Sequence, residues 1–117
     1  MSVLYRHALV MASARGVLFI TVKKLVDNVE ATNRKTVFNM KDGRSIATRD
    51  TLANIQDVLL KYPAFFKPHR SYIINLQYVE HFNSKEISMK NSACLIPIAR
   101  GLDKEFKEKY FQFMFSE

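Results

Sequence analysis

His69, Arg70 and Ser71 stand in a row within KPHRSYIINL, the stretch from Lys67 to Leu76. Such a trio has two chemical uses. A hydroxyl near an imidazole can begin a nucleophilic site, and a guanidinium near a hydroxyl can begin a phosphate- or base-binding one. The first use is poorly served. A nucleophile needs a base that a third group orients across a pocket, and His69 and Ser71 are only two positions apart. No G-x-S-x-G elbow surrounds Ser71. With Gly16, Gly43 and Gly101 as the only glycines, neither a P-loop nor a dinucleotide-binding loop can form. His7, His69 and His81 are unrelated in spacing. The single cysteine, Cys94, excludes an internal disulfide and gives no zinc cluster. The sequence therefore reads as that of a non-enzyme with no cofactor and no metal.

The second use suits the charge. Eighteen Lys and Arg face eleven Asp and Glu, a net of +7. The first hundred residues hold 15 of the bases and 7 of the acids, so the excess lies ahead of the C-terminal segment. An excess of this kind most simply serves a polyanion. At 117 residues, 48% of them hydrophobic, the chain has the size and composition of one ordinary globular domain. It has no run of 18 or more apolar residues. Arg6 and His7 interrupt the stretch where a signal peptide needs an apolar core. A reducing cytoplasm is the compartment expected.

The elements that must hold these side chains are mostly strands. The apolar runs 8–13 and 17–22, split by Ala14-Arg15-Gly16, read as two strands and a turn. Lys24 to Ala31 alternates imperfectly and reads as a further strand, followed by a polar loop, Thr32-Asn33-Arg34-Lys35. Thr36 to Met40 and Arg44 to Thr48 form a hairpin around Asp42-Gly43, a dipeptide that readily takes the positive φ of a tight turn. The period then changes. Leu52, Ile55 and Leu59 fall at helical spacing, with Asp50 or Thr51 to cap the start and Pro63 to prevent continuation. Phe65 and Phe66 are core anchors. Residues 72–76, 79–82, 86–90 and 93–98 read as strands, with Asn91-Ser92 turning between the last two. Leu102, Phe106, Tyr110 and Phe113 make one stripe of a terminal helix.

No second helix follows the central one across a short turn, so a helix-turn-helix is excluded. The aromatic motif of RNA-binding sheets and a C₂H₂ finger are absent as well. Nucleic acid must then be met by loops and strand ends. The basic groups at such boundaries are Arg34 and Lys35 in the polar loop, Arg70 ahead of a strand and Arg100 behind one. The planar fork of an arginine takes two bonds from a guanine edge or grips a phosphate.

FFKPHRSYIINLQYVEHF, with EISMKNSACLIPIARGLDKEFKEKY after it, resembles the LytTR-type DNA-binding domain of bacterial transcription regulators. The shared pattern is a pair of Phe, then His-Arg-Ser, a strand ending Asn-Leu, a hairpin, and Ile-Pro-Ile with an arginine close behind. VKKLVDNVEATNRKTVFNMKDGRSIATRDTLANI resembles the family's opening strands, hairpin and helix more loosely. The resemblance implies a mostly β fold with two short helices and several small antiparallel sheets in a row. Residues 1–15 would be an N-terminal extension carrying the first strand, and 16–117 a single compact domain. It implies DNA contacts from the loop after the early strands, from the residue following His, and from the Arg after the last strand. In this chain these fall on Arg34 or Lys35, with Asn33 beside them, on Arg70, and on Arg100. It also implies double-stranded promoter DNA with short direct repeats, and hence two copies head to tail, a dimer on DNA. A membrane-bound regulator protein is a separate candidate partner. Family members commonly follow a phosphorylated receiver domain. The chain would be either a stand-alone regulator or a piece of a longer one, and Met1 with its apolar start mildly favours the first. Ala99 stands where the family often has a hydroxyl residue.

Each residue also has a plainer role. Arg70 could pair with an acid such as Glu80, and His69 could tie its loop to backbone through one nitrogen. Ser71 could cap the loop or donate to phosphate. Asn75, polar within an apolar strand, could satisfy loop backbone and so steady Arg70. Arg100 could be merely solvated, as Lys23, Lys24, Lys41, Arg44, Lys85 and Lys90 are expected to be. Cys94 is a packing residue. The aromatic excess of the last helix leaves room for contact between copies. The rival functions are a basic protein-interaction module held by a membrane partner, and an RNA binder.

Overall fold

The computed structural model describes residues 24–90 and 95–116. The expected strands at 8–13 and 17–22, the Asn91-Ser92 turn and Cys94 lie outside them. Eight strands and two helices follow in order: β1 (Val26–Thr32), β2 (Lys35–Met40), β3 (Ser45–Thr48), α1 (Leu52–Leu59), β4 (Phe65–His69), β5 (Tyr72–Asn75), β6 (Val79–Phe82), β7 (Glu86–Met89), β8 (Ile96–Pro97) and α2 (Asp103–Phe115). A 3₁₀ turn, Leu76–Tyr78, links β5 to β6. The strands make two antiparallel sheets, one of five strands in the order β3-β2-β1-β5-β4 and one of three in the order β6-β7-β8.

The five-stranded sheet is covered on both faces. Val29, Phe38, Phe65 and Ile73 enter one core with Leu52, Ile55 and Leu59 of α1. Phe66 and Ile74 enter a second core with Ile87 and Ile96 of the small sheet and Phe106 of α2. Successive residues of a strand point to opposite faces, so Phe65 and Phe66, like Ile73 and Ile74, divide between the two cores. This explains the uninterrupted apolar run of β5: a strand buried on both faces has no side to leave polar.

Local chemistry fixes the ends of the elements. The Thr51 side chain accepts from the Asn54 N–H and caps α1. The β2–β3 connection takes a different turn from the one expected. Gly43 alone has positive φ, 92°, and its N–H donates to the Met40 carbonyl at 3.0 Å. That is a three-residue loop in which Asp42 stays in the ordinary region and the glycine supplies the bulge. The Asp42 carboxylate receives the Arg44 N–H at 3.0 Å and the Arg44 Nε at 2.7 Å. Phe65–His69 is a strand that neither periodicity nor propensity announced. Phe106, wholly buried, holds α2 down through ring contacts with Phe82 at 5.0 Å and Phe66 at 5.7 Å.

Candidate nucleic-acid interface

Three connections meet at one end of the five-stranded sheet. β1 turns into β2 through Asn33 and Arg34, both with positive φ, 45° and 66°, and Thr32 pairs directly with Lys35. The expected four-residue loop is thus a two-residue hairpin turn of the I′ kind, whose left-handed residues match the strand twist. Asparagine adopts that conformation readily. Arginine at the second place, where glycine is usual, carries a strain of about 1–2 kcal/mol. Asn33 and Arg34 are exposed at the tip, and Lys35, also exposed, opens β2.

β4 turns into β5 through Arg70 and Ser71, between the paired residues His69 and Tyr72. His69 closes this turn: its Nδ1 accepts the Ser71 N–H at 3.1 Å, which leaves the proton of a neutral ring on Nε2. Its ring meets the edge of Tyr72 at 5.7 Å. The expected tie from imidazole to backbone is present. Ser71 in turn accepts the Ala31 N–H on its carbonyl at 2.8 Å, which joins this turn to the end of β1. Arg70 is exposed.

The third connection leaves β8. Ala99 donates its N–H to the carbonyl of Pro68, on edge strand β4, at 2.8 Å. The exposed Arg100 is therefore stitched beside the Arg70 turn. Strands lie about 4.8 Å apart in a sheet, so the midpoints of the Asn33-Arg34 and Arg70-Ser71 turns stand about 10 Å apart. Asn33, Arg34, Lys35, His69, Arg70, Ser71 and Arg100 are all brought to the same end.

Among the described residues, Arg44 pairs with Asp42 at 2.5 Å, and His81 Nε2 stands 3.4 Å from Glu80, a contact that is an ion pair only when the imidazole is protonated. Glu80 is thus engaged with its neighbour, and Arg70 takes part in neither pair. Asn75 acts elsewhere than expected. Its side chain donates to the Val26 carbonyl at 2.9 Å and accepts the Gln77 N–H at 3.0 Å. Both bonds lie at the far end of β5 from Arg70, where they join β1 to the 3₁₀ turn.

One residue escaped the sequence reading. Arg49 follows β3, and the Thr36–Thr48 pairing puts it at the same end of the sheet. The signal was available, since Arg49 is a base at a strand boundary like the others. A roomier cleft of about 600 Å³ lies beside the start of β4, away from its His69 end, walled in part by Tyr62, Lys67 and Phe113. Lys67 there donates to the Gln56 side chain. Among the described residues, no three His, Cys, Asp or Glu gather as metal ligands, and no helix is long and apolar enough to cross a membrane.

Comparison with known proteins finds one family and a matching fold. The LytTr DNA-binding domain family matches residues 16–111. A solved structure, the LytTr DNA-binding domain of a protein described as a methyl-accepting/DNA response regulator from Bacillus cereus, is similar in fold. It superposes with a TM-score of 0.61 at 23% identity, covering 74% of this chain and 82% of that one. No curated protein matches the chain. The sheet that gathers basic turns at one end thus sits within a pattern that runs over most of the sequence, and the chain belongs to the LytTr DNA-binding domain family.

Proposed function

We propose that the protein is a transcription regulator that recognises specific double-stranded DNA from loops, with no helix inserted in the groove. One observation carries this reading. Arg34, Arg70 and Arg100 stand exposed, outside the ion pairs of the described residues, on turns laced together by the Ala31–Ser71 and Ala99–Pro68 hydrogen bonds. Groups fixed in this way lose little freedom when a ligand orders them. Two turns about 10 Å apart fit a major groove about 12 Å wide.

In this mechanism Arg34 and Arg70 offer their forks to guanine O6 and N7, and Asn33 offers its amide to an adenine edge. Lys35, Ser71 and Arg100 meet phosphates or a neighbouring base. His69 positions Arg70 by holding the Ser71 amide. The strained left-handed place given to Arg34, where Lys35 has an ordinary strand position, favours Arg34 as the base reader of that pair. Two copies would lie head to tail on short direct repeats, with a membrane-bound protein as the controlling partner.

Selection of bound duplexes from a random pool tests the reading, and recovery of one motif is expected. Arg70→Ala and Arg100→Ala are then compared on the selected and on random duplexes. A base-reading arginine costs roughly 1–3 kcal/mol on the selected duplex and little on the random one. No loss on either would favour a protein-interaction module. Single-stranded RNA outcompeting duplex would favour an RNA binder.

A further inference from the structure

We propose that Arg49 is a phosphate-gripping residue of this face, set outside the groove-reading turns so as to hold the backbone that flanks them. The inference rests on the DNA-binding reading above and adds a contact to it.

Arg49 leaves β3, the edge strand next to β2. Counting strand spacings, it stands about 7 Å from the middle of the Asn33-Arg34 turn and about 17 Å from that of the Arg70-Ser71 turn. The two turns together occupy nearly the width of a major groove, so a group one step further out meets the sugar–phosphate wall and not the base edges. The local charge agrees. A cleft of about 320 Å³ lies between the Asn33-Arg34 turn and the residues around Arg49, and its lining carries three bases, Arg34, Lys35 and Arg49, against one acid, Asp50.

The backbone under Arg49 is fixed from both sides. Thr36 Oγ1 donates to the Asp50 carbonyl at 2.6 Å. The Asp50 N–H donates to Thr48 Oγ1 at 3.3 Å, and Thr51 begins α1 as its cap. The Arg49 side chain is exposed and belongs to neither ion pair of the described residues. A guanidinium on a rigid support, facing a basic cleft and with no acid partner among the described residues, suits a phosphate oxygen.

The test measures affinity of the full chain for its selected duplex and for a random duplex across a salt series. Arg49→Ala is expected to weaken both by the same three- to tenfold. The slope of log K against log salt should become shallower by about 0.9, the value for one released counterion. Arg49→Lys should keep the original slope, because phosphate accepts a point charge. Unchanged affinity and slope in Arg49→Ala would overturn the proposal, and a loss confined to the selected duplex would make Arg49 a base reader instead. If the unaltered chain binds no duplex, the parent reading falls and this contact with it.

Discussion

Arg34 occupies a backbone conformation that its own side chain opposes. A left-handed residue with a Cβ is strained, and glycine at that place would remove the strain while losing some unfolded-state entropy advantage. Arg34→Gly is therefore expected to stabilise the fold by about 0.5–1 kcal/mol in denaturant titration. The same substitution should weaken binding to the selected duplex at least tenfold, as loss of a bidentate base contact does. A variant that gained stability and kept its affinity would remove Arg34 from the interface. His69 makes the complementary case. His69→Ala deletes the acceptor for the Ser71 N–H, a part-buried bond worth about 1 kcal/mol. Its larger effect should be on duplex affinity, through the loosened Arg70 turn, and a binding isotherm beside a melting curve separates the two.

At the level of elements, the β2–β3 hairpin has a pH signature. Hydrogen bonds from the Arg44 side chain and then its backbone N–H hold the Asp42 carboxyl below its ordinary value of 3.8. The folded state thus binds that proton more weakly than the unfolded chain does. The contribution is complete above 3.8 and is lost as pH falls through the lowered folded value. An NMR titration should place the Asp42 carboxyl midpoint below 3.8, and Arg44→Ala should return it towards that value. α2 depends on one ring: Phe106→Ala is expected to cost about 3–5 kcal/mol in chemical denaturation.

The elements differ in how plainly the sequence announced them. α1 and α2 are written in the spacing of Leu52, Ile55 and Leu59 and of Leu102, Phe106, Tyr110 and Phe113. Of the second group, Phe106 is fully buried and the other three are half-buried. β5 is legible because burial on two faces demands an unbroken apolar run. β4 is not, because FFKPH contains a lysine and a proline and no alternation, and its pairing comes from β5 across a turn. The Asn33-Arg34 turn resembles a looser loop in sequence because its second residue breaks the local preference for glycine. Asn75 announces itself in sequence as a backbone-satisfying polar residue, but its target depends on strand register, which one sequence does not display. Phe111, Met114 and Phe115 remain exposed on α2, and the two phenylalanines are the part of the aromatic excess that the core does not absorb.

For the molecule as a whole, the LytTr DNA-binding domain sets Arg34, Lys35, Arg49, Arg70 and Arg100 along one border of its larger sheet. From Arg49 to Arg100 the row crosses about five strand steps, or about 24 Å, less than one turn of B-DNA. If four phosphates are neutralised, the log–log salt slope is about −3.6, and affinity falls about a hundredfold between 50 and 200 mM salt. A slope near zero in that titration would place binding on some other surface.

The hydrogen-bonded ladder beneath that row has a further consequence. Neighbouring turns are joined rung to rung, so their separation changes only by whole strands or by register steps of two residues. Such a scaffold is a ruler with fixed graduations. Relatives that exchange the side chains on its marks would differ in the letters of their target sites and keep the length of those sites unchanged.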